Sequence, residues 1–174
     1  MTKPKTIPSG REISFHEDEI IVSKTDPTGR ITYANQVFIR VSGYDERELM
    51  GTPHSLIRHP AMPRSVFRLL WQTIGAGREI FAYVNNMAKN GDNYWVFAHV
   101  TPSFDSGGTL VGYHSNRRLP DRSAIEKVAP LYAALLEIEN KPDNRKNGLD
   151  AATEHLGRLL KSKGIEYDEF VFSL

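Results

Sequence analysis

Two alternating runs joined by a four-residue turn constrain this chain more than any other feature. Residues 79–88 and 93–104 are rich in β-formers with a two-residue period, and Lys89-Asn90-Gly91-Asp92 between them is a strong hairpin signal. Asp105-Ser106-Gly107-Gly108 supplies the next turn, into a third run at 109–117. Upstream, residues 20–25 and 30–34 read as two further strands around Asp26-Pro27-Thr28-Gly29, where Pro and Gly suit a turn. Between the two strand groups lie short helices. Asn35 is placed to cap Gln36–Ser42, closed by Gly43, and Asp45 to cap a second helix stopped at Gly51. Pro53, Pro60 and Pro63 keep 52–63 irregular, and Val66, Phe67, Leu70, Trp71 and Ile74 then form one helical face ending at Gly75. Two strands, short helices and a three-strand meander predict an α+β fold, a five-stranded antiparallel sheet with the helices on one face.

After Pro120 the period becomes helical again, with Ile125, Val128, Leu131, Leu135 and Ile138 in register for a flanking helix over 120–139. The expected organisation is a flexible lead at 1–12, a domain at 13–119, this helix, a linker at 140–148, and a C-terminal helix and apolar tail at 149–174. The tail, Tyr167 to Phe172, is too apolar to remain in water without cost and is expected to pack on this chain or a neighbour, or to serve as a docking peptide.

Composition narrows the function classes. With 22 basic against 21 acidic residues the net charge is +1, which gives no basis for binding nucleic acid through bulk positive charge. The absence of cysteine excludes disulfides, zinc–thiolate sites and iron–sulfur clusters. No apolar run approaches the roughly 18–20 residues needed to span a bilayer, and the N-terminus lacks a signal peptide's apolar stretch, so a soluble cytoplasmic protein is expected. No G-x-S-x-G or P-loop motif occurs, and no spacing of Asp, Glu and His picks out a catalytic set, so an enzyme is not expected.

Four motifs go further: Gly51-Thr52-Pro53-His54, Arg58-His59-Pro60, Lys89-Asn90-Gly91-Asp92 followed by Tyr94-Trp95, and Pro130-Leu131-Tyr132. Together, over roughly residues 12–135, they resemble the PAS sensor family, and within it the FAD-binding module of bacterial aerotaxis receptors. The resemblance implies a PAS fold and a flavin, FAD ahead of FMN or haem. It also implies a redox or oxygen sensor that signals to a chemoreceptor or histidine kinase. Departures are Ala61, where the family commonly has aspartate, Asn85, commonly basic there, and His114. Light-sensing flavin PAS relatives form a cysteinyl–flavin adduct, which a chain without cysteine cannot make. The chain contains neither the membrane anchor nor the coiled coil of such receptors, so its signal is expected to pass to another protein.

The resemblance also nominates residues. It points Asn86 inward to hydrogen-bond the flavin edge, which places Val84, Val96 and Ala98 inside and Trp95 and Phe97 on the outer sheet face. An amide suits that edge because it both donates and accepts; the plainer role for Asn86 is satisfying turn backbone. Arg58 and His59 correspond to residues supporting FAD, and an arginine pairs bidentately with phosphate; otherwise they form a basic loop stiffened by prolines. Phe67 and Trp71 correspond to aromatics bordering the flavin, or are core. Asn35 is either pocket residue or helix cap. His114 shares a face with Gly112 and Asn116, matches a glutamine near flavin N5 in light-sensing relatives, and could exchange a proton there. Its alternative is a surface or core histidine. A homodimer is expected through the outer face at Trp95 and Phe97 or through the flanking helices. The competing readings are a cofactor-free PAS interaction module and a haem gas sensor using one axial histidine.

Overall fold

The computed structural model describes residues 6–174. The strands are β1 (Ile21–Thr25), β2 (Ile31–Ala34), β3 (Ile80–Met87), β4 (Asn93–Phe104) and β5 (Leu110–Arg118), in the spatial order β2-β1-β5-β4-β3. Every neighbouring pair is antiparallel. Between β2 and β3 come α1 (Gln36–Ser42), α2 (Glu46–Leu49), a single 3-10 turn (His54–Ile57) and α3 (Arg64–Gly75). The capping residues act as their chemistry dictates: Asn35 Oδ1 accepts from the Phe38 N–H, and Asp45 and Glu48 form a reciprocal capping box. The five-stranded α+β sheet read from the sequence is the observed one.

Strand alternation decides the two faces. Ile80, Ala82, Val84 and Asn86 point to the inner face with Val96, Ala98 and Val100, where α3 and the 3-10 turn lie. The register then carries inward parity across the sheet, because Val100 pairs with Ser115 and Ala98 with Arg117, and β1 continues with Ser23 and Ile21.

The C-terminal third covers the other face. Helix α4 (Arg122–Asn140) stacks Tyr132 on Trp95, with ring centroids 6.3 Å apart, and the Tyr132 hydroxyl donates to the Tyr83 carbonyl at 2.8 Å. Helix α5 (Arg145–Lys163) follows after four residues and packs on α3 and α4. Helix α6 (Tyr167–Phe172) lies on β3: Phe172 meets Phe81 at 4.7 Å, and Asp168 Oδ1 accepts the Phe81 N–H at 3.2 Å. That bond occupies a donor on an edge strand, where an unpaired N–H would be a pairing hazard. Two open alternatives are decided accordingly. The outer face at Trp95 and Phe97, one of the two surfaces offered for a dimer, is covered by this chain's own α4 and α6. The tail offered as a docking peptide is packed, with Tyr167, Phe170 and Val171 buried. The linker is also shorter than expected, since α5 begins at Arg145 rather than at 149.

Much of the lead is pinned rather than free. Residues 1–5 lie outside the described residues, but Ser9 N–H donates to Gly91 O and Ile13 N–H to Asn93 O, both at 2.8 Å. Gly91 must be glycine here: its φ is +92°, and a Cβ would stand 2.3 Å from the Ile7 carbonyl oxygen. The Arg11 guanidinium and the Ser9 hydroxyl hold the Asp92 carboxyl down to about 2. A depressed carboxylate stabilises the fold above its ordinary value of 3.8, and that contribution disappears as pH falls through about 2. Asp92→Asn should therefore free the lead at neutral pH, and acid should do the same to the parent. Limited proteolysis after Arg11 reads both; equal cleavage of variant and parent at neutral pH would count against the clamp.

Candidate functional site

The inner face of the sheet is not filled. Ser23, Ala98 and Ser115 are small, and between them and α3 lies a cavity of about 530 Å³, within the size range of ligand pockets. The sheet contributes Ser23, Thr25, Val84, Asn86, Val100, Tyr113 and Arg117 as well. Phe67, Leu70, Trp71 and Ile74 on successive turns of α3 form the facing wall, and His54 and Arg58 approach from the proline-rich segment.

Four of the seven nominated residues meet in this cavity. Asn86 is 4% exposed, and its amide makes no hydrogen bond within the described protein. Its backbone forms an antiparallel bridge with Arg58, which fixes one against the other. The Arg58 guanidinium lies 4.3 Å from the Phe67 ring centroid and donates to the Met62 carbonyl at 3.3 Å. It has no ion pair among the described residues. Burial lowers its pKa, with Glu139 opposing and Arg64 and Arg145 adding to the effect. Trp71 sits edge-on to Tyr113, centroids 5.6 Å apart, and at 40% exposure it borders the mouth. Phe67 and Trp71 thus present aromatic surface where a planar ring could lie.

Three nominated residues lie elsewhere. Asn35 spends its amide on backbone: Oδ1 accepts from Val22 N–H and Phe38 N–H, each at 3.0 Å, and Nδ2 donates to Ile20 O at 2.8 Å. It ties β1 to α1 and has no amide atom left for a ligand. His59 is absent from the cavity wall; its Nδ1 accepts from Ala61 N–H at 3.0 Å, and burial lowers its pKa. His114 is on the opposite sheet face. It pairs with Lys24 and Thr101, and its Nε2 lies 3.1 Å from Asn116 Oδ1 on that same side. A one-residue change of parity sends every side chain of a strand to the other face, so the inward positions of β5 are Tyr113, Ser115 and Arg117.

Those inward positions include the charge that the sequence reading missed. Arg117 is 2% exposed, with its guanidinium carbon 4.9 Å from the Phe38 ring centroid. Nε donates to Ser115 Oγ at 2.9 Å, and Nη2 donates to Ser23 Oγ and, at 3.2 Å, to His54 Nε2. His54, seen in the sequence only as part of a motif, is pushed down to about 3 by burial and then by the Arg117 charge. Its Nε2 is therefore an acceptor and the ring is neutral. The alternation of β5 could have found this cluster only through the register with Val100, because neither face of β5 is apolar.

Comparison with known proteins agrees with this fold. Residues 31–116 match the family model described as the PAS fold. The chain is 42% identical over 119 residues to the aerotaxis receptor of Escherichia coli (strain K12), covering 68% of this chain and 23% of the receptor. It is 30% identical over 99 residues to the nitrogen fixation regulatory protein of Klebsiella pneumoniae, covering 57% of this chain and 20% of that protein. A blue-light-activated histidine kinase of Rhizobium johnstonii is 25% identical over 137 residues, 76% of this chain and 40% of the kinase. The chain thus spans less than half the length of these curated relatives. Among solved structures, the dark-state LOV domain of the blue-light photoreceptor Aureochrome1 superposes with a TM-score of 0.54 at 24% identity, covering 68% of this chain and 86% of that one. The likeness of fold, the matched family and the inward-facing cavity lead to one conclusion: this chain carries a sensor domain of the PAS family.

Proposed function

We propose that this PAS domain binds FAD in the cavity and acts as a redox sensor, relaying the state of the flavin to a chemoreceptor or histidine kinase. The observation that carries the reading is the Asn86 amide, which lines a cavity walled by Phe67 and Trp71 and makes no hydrogen bond to the described residues. A ligand that displaces solvent from the cavity must satisfy this amide, which can both donate and accept. Asn86 would hold the polar edge of the ring, the two aromatics would flank its faces, and Arg58 would pair with phosphate. Thr25 Oγ1, a buried hydroxyl of the cavity wall with no partner among the described residues, fits the same occupant. A bound flavin supplies electron transfer, which no side chain here provides.

The competing readings have less support. A cofactor-free interaction module needs a filled interior, and the outer aromatic face that would dimerise carries α4 and α6. For haem, His54 is the cavity's histidine, and its Nε2 is engaged by Ser23 and Arg117.

An absorption spectrum of the protein after incubation with FAD and removal of unbound flavin tests the proposal. Bands near roughly 370 and 450 nm that bleach with dithionite are expected. Asn86→Ala should weaken FAD binding about tenfold, the value of one lost hydrogen bond of about 1.5 kcal/mol, and Arg58→Ala should weaken FAD more than riboflavin. A protein fraction without flavin bands once unbound FAD is removed overturns the reading.

A further inference from the structure

Among the described residues, three buried side-chain polar atoms lack any hydrogen-bond partner: Thr25 Oγ1, Tyr94 OH and Arg117 Nη1. The last is the most consequential, because it belongs to a cation. Every partner of Arg117 is neutral: two serine hydroxyls, the His54 ring and the Phe38 face. The described residues give it no carboxylate within ion-pair distance. A buried charge without a counter-ion costs several kcal/mol, and proteins retain one chiefly where something else compensates it. The side chain lines the cavity, so the compensating group belongs there.

We propose that Arg117 is the charge partner of the cavity's occupant and, resting on the flavin reading above, that it stabilises the negative charge the ring gains on reduction. Two electrons from a reductant such as dithionite or a reduced nicotinamide, with one proton taken at N5, leave the ring with a single negative charge over N1 and the adjacent carbonyl oxygen. Arg117 makes the second proton, at N1, unnecessary. Because the guanidinium also holds Ser115 of β5 and Ser23 of β1, a change in its load is felt by two adjacent strands.

The groups around Arg117 leave it as the charge in control. From the 3-10 turn, His54 is held neutral down to about 3. From β4, Tyr94 is raised by burial and stays protonated at neutral pH. From α1 comes the Phe38 ring, and from β1 Ser23. Burial lowers Arg117 itself only to about 10. The cavity's other charges are on the α3 side: Arg58, Arg64 paired with Glu139, and Arg68 paired with Asp150.

The test is a spectroelectrochemical titration of the FAD-loaded chain from mildly acidic to mildly basic pH. The parent should take up one proton per two electrons. Arg117→Gln, which keeps a donor for Ser23, and Arg117→Met, an apolar replacement of similar length, should each lose at least tenfold in preference for reduced over oxidised flavin. That is a fall of about 30 mV in the two-electron midpoint. At mildly acidic pH, below the N1–H pKa of a free reduced flavin, both should take up two protons, whereas Arg117→Lys should keep the parent's proton count. If one neutral variant fails to fold, the other gives the answer. A merely structural arginine would change the melting temperature of these variants and leave potential and proton count alone, and that result overturns the assignment while the flavin reading stands. A parent chain that binds no FAD overturns the flavin reading itself and this role with it.

Discussion

Glu139→Ala should lose about 3 kcal/mol of folding stability, the low end for breaking a buried ion pair by removing one partner, and should loosen the cavity as well. Glu139 is 2% exposed near the end of α4, yet its bonds go to the start of α3, 74 residues away in the chain. Oε1 accepts from the Ser65 N–H at 2.8 Å and the Ser65 hydroxyl at 2.9 Å; Oε2 accepts from the Arg64 N–H at 3.0 Å and Nε at 3.1 Å. The residue before α3 is Pro63, which has no side chain able to cap. The carboxylate thus takes over the cap and the N-terminal dipole of α3 from a distance. Alanine would leave the Ser65 N–H and hydroxyl, the Arg64 N–H and the Arg64 Nε without this acceptor. Since α3 carries Phe67 and Trp71, FAD affinity should fall with stability. Urea denaturation and a flavin titration on the same variant check both; a loss below about 1 kcal/mol would reduce the contact to an ordinary surface pair. Gly148→Ala should act on the same joint, because a Cβ there would stand 2.0 Å from the Glu139 carbonyl oxygen. Alanine's better helix propensity, about 1 kcal/mol, does not relieve a clash between two backbones, so α5 must move away from α4.

Acid should weaken the fold well above the range where carboxylates titrate, and His54 should be a principal cause. In the folded chain its pKa is pushed down to about 3, whereas an unfolded histidine titrates near 6.5. Between those values the unfolded chain binds a proton that the folded chain refuses, so stability rises with pH in that window. The loss begins as pH falls below 6.5 and continues toward 3, with a slope of up to about 1.4 kcal/mol per pH unit from this one residue. His54→Gln, whose amide oxygen can still accept from Arg117 and Ser23, should flatten most of that slope. His59 is lowered by burial too and adds a contribution of the same sign, so His59→Gln is the control. Urea midpoints measured at several pH values would decide: an undiminished slope in His54→Gln would mean that the ring is protonated in the folded chain.

Which parts of this protein were legible in the sequence follows from how locally each is encoded. The hairpin turn, the Asn35 and Asp45 caps and the α3 stripe are written within a few residues of where they act, and the strand and helix order followed directly. Asn86, Arg58, Phe67 and Trp71 were legible through family motifs, and the fold brings them to one cavity. His114 was placed on the wrong face because β5 offers no hydrophobic alternation: Tyr113, Ser115 and Arg117 are as polar as their neighbours. Asn35 has the same signature whether it caps a helix or lines a pocket, and its bond to Val22, 13 residues away, makes it the former.

The sequence by itself determined the five strands, the short helices between them and the PAS resemblance, because turn chemistry, capping and periodicity are short-range. Only the tertiary structure decided which face of β5 looks inward, that Arg117 stands beside His54 without a counter-ion among the described residues, and that α4 and α6 cover Trp95 and Phe97. It also decided that a glutamate in α4 caps α3. Each of these depends on strand register or on contacts between residues dozens of positions apart, and no local pattern carries that information.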